Sequence, residues 1–353
     1  MDSLDALRRA LGDRARVAEP LSRYTTARIG GPADLLVEAN SADELRDLAL
    51  MARRYAVPML ILGGGANILV GDAGVRGLTI LNKARQLEFL GGARVRAESG
   101  VILPTLAREC IARGLAGLEW AVGVPGTVGG AIVGNAGAHG HDTASDVKRV
   151  WILGPDNNVR EWRIEELEFG YRSSRIKREA RGQEAGRQEA RGQEAGRQEA
   201  RGQEAGRQEG KNGTRNTQYV VLAAEFELAQ SSREELERQA MEFNEYRRRT
   251  QPPGASLGSM FKNPPGDAAG RLIDATGLKG TRVGRAEISR VHANFFVNLG
   301  GAMAQDVLAL IRTARDRVRE RFGVELELEI ELVGEWATDV VNGLVNGQAD
   351  GNG

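Results

Sequence analysis

The sequence predicts a mixed helix-and-strand protein in two halves, on three observations. A β-α-β order opens the chain, two uncharged glycine-rich turns follow it, and an alternating segment near the end reads as a strand. At 353 residues the chain has room for two or three units, each with a real core.

The elements follow in order. "MDSLDALRRALGD" is an amphipathic starter helix; with its acids and without an apolar run, no secretion signal is expected there. "ADLLVEA" is a strand, and "SADELRDLALMARRYAV" a helix with Ser41 and Glu44 at capping-box spacing. "PMLILGGGANILVGDAGVRGLTILN" then gives a strand, a triple-glycine turn and more strand, an order that suits parallel pairing with a ligand at a strand's carboxyl end. "GGGAN" is neither G-x-G-x-x-G nor a phosphate loop, because no Lys-Ser/Thr follows and the turn opens onto a strand. Next come the strand "ARVRAES" and a helix ending at Gly114, in which Cys110 keeps register with Leu103, Leu106 and Ala107 and reads as a buried position.

The run "GVPGTVGGAIVGNAGA", Gly123 to Ala138, holds six glycines in sixteen residues and no charge. It is too short and too rich in Gly, with Pro125 and Asn135 inside it, to span a membrane. Glycine lets the main chain approach a ligand closely, so the run reads as a ligand cradle. Together with "LGGGANIL" and "TTARIGGPAD" it favours a large, phosphate-bearing cofactor held by backbone amides.

A hairpin follows, "RVWILGPDNNVREWRI", turning at "GPDN". From Glu179 to Gln208 the decapeptide EARGQEAGRQ occurs three times, without a large apolar residue, so it is expected to be a disordered, solvated insertion. Order resumes with the strand "YVVLAAEFELA" and a helix opened by Ser232 and Glu235, which places the boundary between halves near Gln230. The helix "AQDVLALIRTARDRVRERFG" precedes the strand "VELELEIELVG", where Val324, Leu326, Leu328, Ile330 and Leu332 share one face. Glu325, Glu327, Glu329 and Glu331 share the other, and alternation alone does not choose among them. The Gly/Asn-rich tail after Trp336 is expected to be loose.

Equal numbers of basic and acidic residues, 48 each, give no pull toward nucleic acid or an anionic membrane, so phosphate contacts must be local. One cysteine allows no disulfide within the chain and suits the cytoplasm. His139 and His141 in "HGH" lack a second ligand cluster, so no metal is expected.

The motifs "TTARIGGPAD", "LGGGANILVGDAGVRGL", "GLEWAVGVPGTVGGAIVGNAGA", "YRSSRIK", "GSMFKNP", "AGRLIDATGLKG", "HANFFVN" and "LELEIELVG" resemble, in order and spacing, those of UDP-N-acetylenolpyruvoylglucosamine reductases. The resemblance runs from about Pro20 to Trp336 outside the repeats and is to the shorter type, which lacks an extra tyrosine loop. It implies an α+β fold: a two-lobed FAD-binding domain of the vanillyl-alcohol-oxidase type and a smaller C-terminal α+β substrate domain. The implied boundaries are an N-terminal helix at 1–19, lobes at about 20–84 and 85–230 with the insertion at 178–210, a substrate domain at 231–336 and a tail at 337–353.

The implied reaction is reduction of UDP-N-acetylglucosamine enolpyruvate to UDP-N-acetylmuramate for bacterial cell walls, with bound FAD and NADPH as co-substrate. Hydride goes to the enolpyruvyl methylene carbon and a proton to its neighbour. The resemblance makes Ser259 the proton donor, Arg172 the active-site arginine and Glu329 the catalytic glutamate. Tyr171, Lys262 and Asn263 are expected at the substrate. Cofactor contacts are expected from Gly30 and Gly31, and from Gly63, Gly64, Gly65, Ala66, Asn67 and Ile68. The second tract is expected to add Gly123, Val124, Pro125, Gly126 and Thr127, then Gly129, Gly130, Asn135 and Gly137. A monomer is expected, without nucleic-acid or membrane partners. The chain departs from the family pattern at Ala66, His139, Ile176 and Val291, where Ser, Tyr, Phe and Lys are usual. A flavin oxidase of another substrate and a nucleotide-binding scaffold are the competing readings.

Overall fold

The computed structural model describes residues 2–180 and 218–336. Apart from Glu179 and Ala180, the decapeptides lie outside the described residues, as does the tail after Trp336.

The first sheet has the strand order Arg16–Pro20, Pro32–Ala39, Val75–Asn82, Met59–Leu62. The last three run parallel and the first antiparallel, as the β-α-β order requires. Helix Ala42–Arg54 buries Leu45, Leu48, Ala49 and Ala52 on one face of this sheet, the apolar spacing of an amphipathic helix. Ser41 Oγ caps it by accepting from Glu44 N at 3.1 Å, while the Glu44 carboxylate reaches back to Asn40 N rather than to the Ser41 amide. Leu36, Leu60, Leu62 and Leu81 pack on the opposite face, so the strands read as nearly continuous apolar runs.

The second sheet is antiparallel throughout, in the order Val159–Arg163, Val147–Leu153, Val220–Glu227, Arg94–Glu98, Leu87–Phe89. Helices Leu103–Ile111 and Val128–Gly134 cover it. Cys110 is fully buried there, and burial pushes its thiol up to about 12, the state of a packing residue rather than a nucleophile. Helix Arg233–Thr250, expected to open the second half, buries Leu236 and Ala240 in this same core.

A third sheet, in the order Ser256–Ser259, Phe295–Asn298, Ala286–Ile288, Arg282–Val283, carries helices Ala269–Ala275 and Ala304–Phe322. Val307, Leu308, Ile311, Ala314 and Val318 face its core. The first turn of the long helix needs acceptors for its amides, and Asp72 of the first lobe supplies them at 2.8 Å to Ala304 N and 3.0 Å to Gln305 N.

One expectation is corrected here. The strand read over Val324 to Leu332 is only Glu331–Val333, paired parallel with Ile68–Val70. Upstream, Leu328 bridges Phe261 instead, and the chain bends at Glu329 and Ile330 between the two partners. Leu326 and Ile330 are buried as the alternation requires, but a segment that changes partner midway cannot hold one ladder.

Among the described residues no helix is long and apolar enough to cross a membrane.

Candidate active site

The triple-glycine turn lies against the second glycine tract. A Cβ on Gly64 would stand 2.9 Å from Gly126 Cα, and one on Gly65, at φ +58°, would collide with the Tyr24 carbonyl. Only glycine permits this approach. The amides of Gly64, Gly65, Ala66 and Asn67 donate to no acceptor among the described residues. Four consecutive free N–H groups form an anion-binding concavity without a cationic side chain.

The second tract differs from a continuous bare cradle. Val128 N and Gly129 N are committed to Val101 O and Ser99 O, at 2.9 and 2.8 Å, while the amides of Gly126 and Thr127 donate to no acceptor among the described residues. Thr127 caps the short helix through Gly130 N, and a Cβ at Gly126 or Gly134 would meet nothing within 4 Å. Bare backbone bordering open space fits a flavin dinucleotide.

Several of the residues expected at the cofactor also make scaffold contacts. Gly31 bonds Gly71 O at 3.1 Å, and a Cβ there would collide with the Asp72 carbonyl. Gly30, at φ +146°, leaves a Cβ only 3.0 Å from that of Val70. The Asn135 side chain is consumed by Asp142, the Gly170 carbonyl and Ala144 N, at 3.0 to 3.1 Å, and the residue ends its helix in the left-handed region. Gly63 sits against the Thr127 hydroxyl, Ile68 begins a strand, Val124 N closes a turn to Ala121 O beside Pro125, and Gly137 pairs with Asp142.

Next to the turn, Asn67 Nδ2 donates to Glu329 O at 3.1 Å and Asn67 O accepts from Glu331 N at 2.9 Å. This brings the catalytic candidates to the cofactor turn. Arg172, itself at φ +55°, donates from Nε to Glu329 Oε1 at 2.6 Å and from its terminal nitrogens to Gly137 O and Asn135 O at 2.7 and 3.4 Å. Met260 O accepts from Glu329 N at 3.0 Å, so Ser259 is one residue from the backbone contact with Glu329. The Ser259 hydroxyl has no partner among the described residues and follows Gly258, at φ +76°.

The four glutamates separate by partner. Glu325 faces Arg319 and Arg315 at 3.4 and 3.7 Å on the surface, Glu327 pairs with Lys262, Glu329 with Arg172, and Glu331 with Lys177 at 3.4 Å. Lys177 is only 4% exposed and also holds the Arg172 carbonyl at 3.2 Å. It stands inside "YRSSRIK", where a lysine among arginines gives no signal of burial.

The substrate candidates are less concentrated. Asn263 Oδ1 accepts from Ala269 N at 3.1 Å, Tyr171 is 56% exposed with the Arg172 guanidinium 5.3 Å from its ring centroid, and Lys262 shares its charge with Glu327. Beneath the second tract, burial and then the charges of Glu119 and Asp142 push Asp146 up to about 7. A separate cavity of about 300 Å³, lined by Trp162, Arg175 and Tyr219, includes none of the candidate residues.

A dinucleotide cradle formed by two glycine turns, with an Arg–Glu pair and a serine beside it, defines a flavin-dependent oxidoreductase; residues 33–161 match the family model of the FAD binding domain. Residues 250–333 match the model of the UDP-N-acetylenolpyruvoylglucosamine reductase C-terminal domain. A UDP-N-acetylenolpyruvoylglucosamine reductase of Rubrobacter xylanophilus is 44% identical over 91% of this chain and 96% of its own length. That of Chloroflexus aggregans is 40% identical over 90% and 97%. The crystal structure of the Thermus caldophilus enzyme matches with a TM-score of 0.69 at 34% identity, over 90% of this chain and 99% of that one. The chain belongs to the UDP-N-acetylenolpyruvoylglucosamine reductase family.

Proposed function

We propose that the protein performs the NADPH-dependent, FAD-mediated reduction of UDP-N-acetylglucosamine enolpyruvate to UDP-N-acetylmuramate, as a cytoplasmic monomer in peptidoglycan precursor synthesis. The carrying observation is the convergence of Arg172, Glu329 and the Ser259 strand beside the free amides of Gly64 to Asn67.

FAD, when bound by these amides, supplies the hydride chemistry. The residues must manage the charge and the proton. As hydride reaches the methylene carbon, negative charge grows on the neighbouring carbon and its carboxylate. Arg172 has five N–H groups, of which three are engaged by Glu329, Gly137 and Asn135, leaving one on each terminal nitrogen for that carboxylate. Glu329 fixes the guanidinium plane, so the donors are oriented before charge develops.

Ser259 gives its hydroxyl proton to the carbon beside the carboxylate. A serine is a weak acid, so only a strongly basic, enolate-like carbon takes the proton. Lys262 and the free amide hydrogens of Asn263 would meet the sugar nucleotide's diphosphate, with Tyr171 at the rim.

An anaerobic titration tests the whole. FAD-loaded protein should bleach with NADPH and regain its yellow colour when UDP-N-acetylglucosamine enolpyruvate is added. Bleaching without recovery on that addition overturns the reading.

A further inference from the structure

Helix Arg233–Thr250 lays one face on the glycine-rich run. Phe243 and Arg247, four residues apart, share that face. The Phe243 ring stacks on His139 at 4.2 Å and 19°, and Tyr246 meets the same imidazole edge-on at 5.5 Å. Arg247 takes the place where a Gly123 side chain would be: a Cβ there would stand 2.7 Å from its Cδ and 3.0 Å from its Nε.

Arg247 is half-buried, yet among the described residues no hydrogen bond or ion pair engages its guanidinium. Burial lowers its pKa, with no carboxylate close enough to oppose the shift. His139 is shifted down too, by burial first and then by the Arg247 charge, so it is neutral near pH 7. Its Nε2 is buried without a hydrogen-bond partner among the described residues. A desolvated cation and an unused imidazole nitrogen, side by side, are both unfavourable unless a ligand completes them. The free amides of Gly126 and Thr127 lie three and four residues past Gly123, on the same tract.

We propose that Arg247, with His139 beside it, forms a diphosphate clasp at the edge of the glycine-rich run, and that its ligand is the diphosphate of the flavin dinucleotide. The inference rests on the FAD reading above. The sugar nucleotide offers the same chemistry, but its candidate contacts, Lys262 and Asn263, lie on the C-terminal domain, whereas Arg247 and His139 both border the cofactor tract. A guanidinium is suited to two phosphate oxygens at once. The clasp also accounts for Gly123, since any side chain there would displace the arginine.

The test compares apo wild type, Arg247→Met, Arg247→Lys and His139→Phe by FAD fluorescence titration and by thermal unfolding without flavin. Arg247→Met should weaken FAD binding roughly 10- to 100-fold, while the apo protein unfolds at the same or a higher temperature, because an unpartnered buried charge has gone. Arg247→Lys should keep part of the affinity, and His139→Phe, which retains the stack, should lose only a few-fold. In FAD-loaded Arg247→Met, affinity for the enolpyruvyl sugar nucleotide should be unchanged. Unchanged FAD affinity in Arg247→Met overturns the proposal. So does a weaker affinity accompanied by a lower apo unfolding temperature, which marks a packing role, or a loss confined to the sugar nucleotide. Wild type that fails to bind FAD would instead sink the cofactor reading itself.

Discussion

Glu329 Oε1 accepts from Arg172 Nε at 2.6 Å across 157 residues of sequence. A second rung lies beside it, Lys177 to Glu331 at 3.4 Å, and Lys177 also grips the Arg172 carbonyl. Asn67 joins the same segment to the triple-glycine turn. Arg172, the carboxylate that orients it and the free amides of the triple-glycine turn are therefore one mechanical unit.

Replacing Arg172 by Lys keeps the charge but not the fork that reaches Glu329, Gly137 and Asn135 together. Turnover should fall about 10²- to 10³-fold, the loss typical of one oriented donor, with FAD content unchanged. Steady-state rates and the flavin absorbance of the purified variant check both parts.

Ser259→Ala removes the proposed proton source and no structural bond observed among the described residues. NADPH should bleach the bound flavin at the wild-type rate, while recovery of colour on adding the enolpyruvyl sugar nucleotide should slow about 10²- to 10⁴-fold. Stopped-flow absorbance separates the two half-reactions, and equal slowing of both would remove Ser259 from its role.

Lys177→Met leaves Glu331 facing the protein interior without its ammonium. Breaking such a pair should destabilise by about 3 kcal/mol, and the double variant with Glu331→Gln should recover part of the loss. Urea unfolding of the single and double variants measures the coupling.

Asp146→Asn tests a pH effect whose sign is set by a raised carboxyl. In the folded protein Asp146 is pushed up to about 7, so its ionised form opposes folding. The penalty is absent below the ordinary carboxylate range, grows as pH rises and is complete above about 7. The variant should melt several degrees above wild type at pH 8, and the difference should shrink as pH falls and vanish only below about pH 4, the ordinary carboxylate range. Calorimetry across that range decides it.

Deleting residues 181–210 should leave turnover nearly unchanged. Glu179 is kept because it pairs with Arg175 at 2.6 Å, whose guanidinium lies 4.8 Å from the Trp162 ring centroid. A large loss of activity in this variant would give the repeats a function.

Local patterns carried much of the fold into view. Ser41 and Ser232 cap the helices that their spacing announces, and the glycines of "GGGAN" form the turn that opens onto Ile68–Val70. The failures are all non-local. Four alternating glutamates look equivalent until "YRSSRIK" packs over Glu329 and Glu331 and leaves Glu325 and Glu327 in solvent. The bonds of Asn135 to Asp142, Gly170 and Ala144 are chosen by folding and leave no mark in the sequence. Arg247 sits in a run of three arginines, and only the helix face separates it from Arg248 and Arg249.

The parallel pairing of Ile68–Val70 with Glu331–Val333 has a consequence for biosynthesis. Asn67 and its partner Glu329 are 262 residues apart. At about 5–20 residues per second, the nascent polypeptide waits on the order of tens of seconds before the ribosome releases the segment that braces the turn. The turn is thereby braced only near the end of translation, after both lobes have emerged.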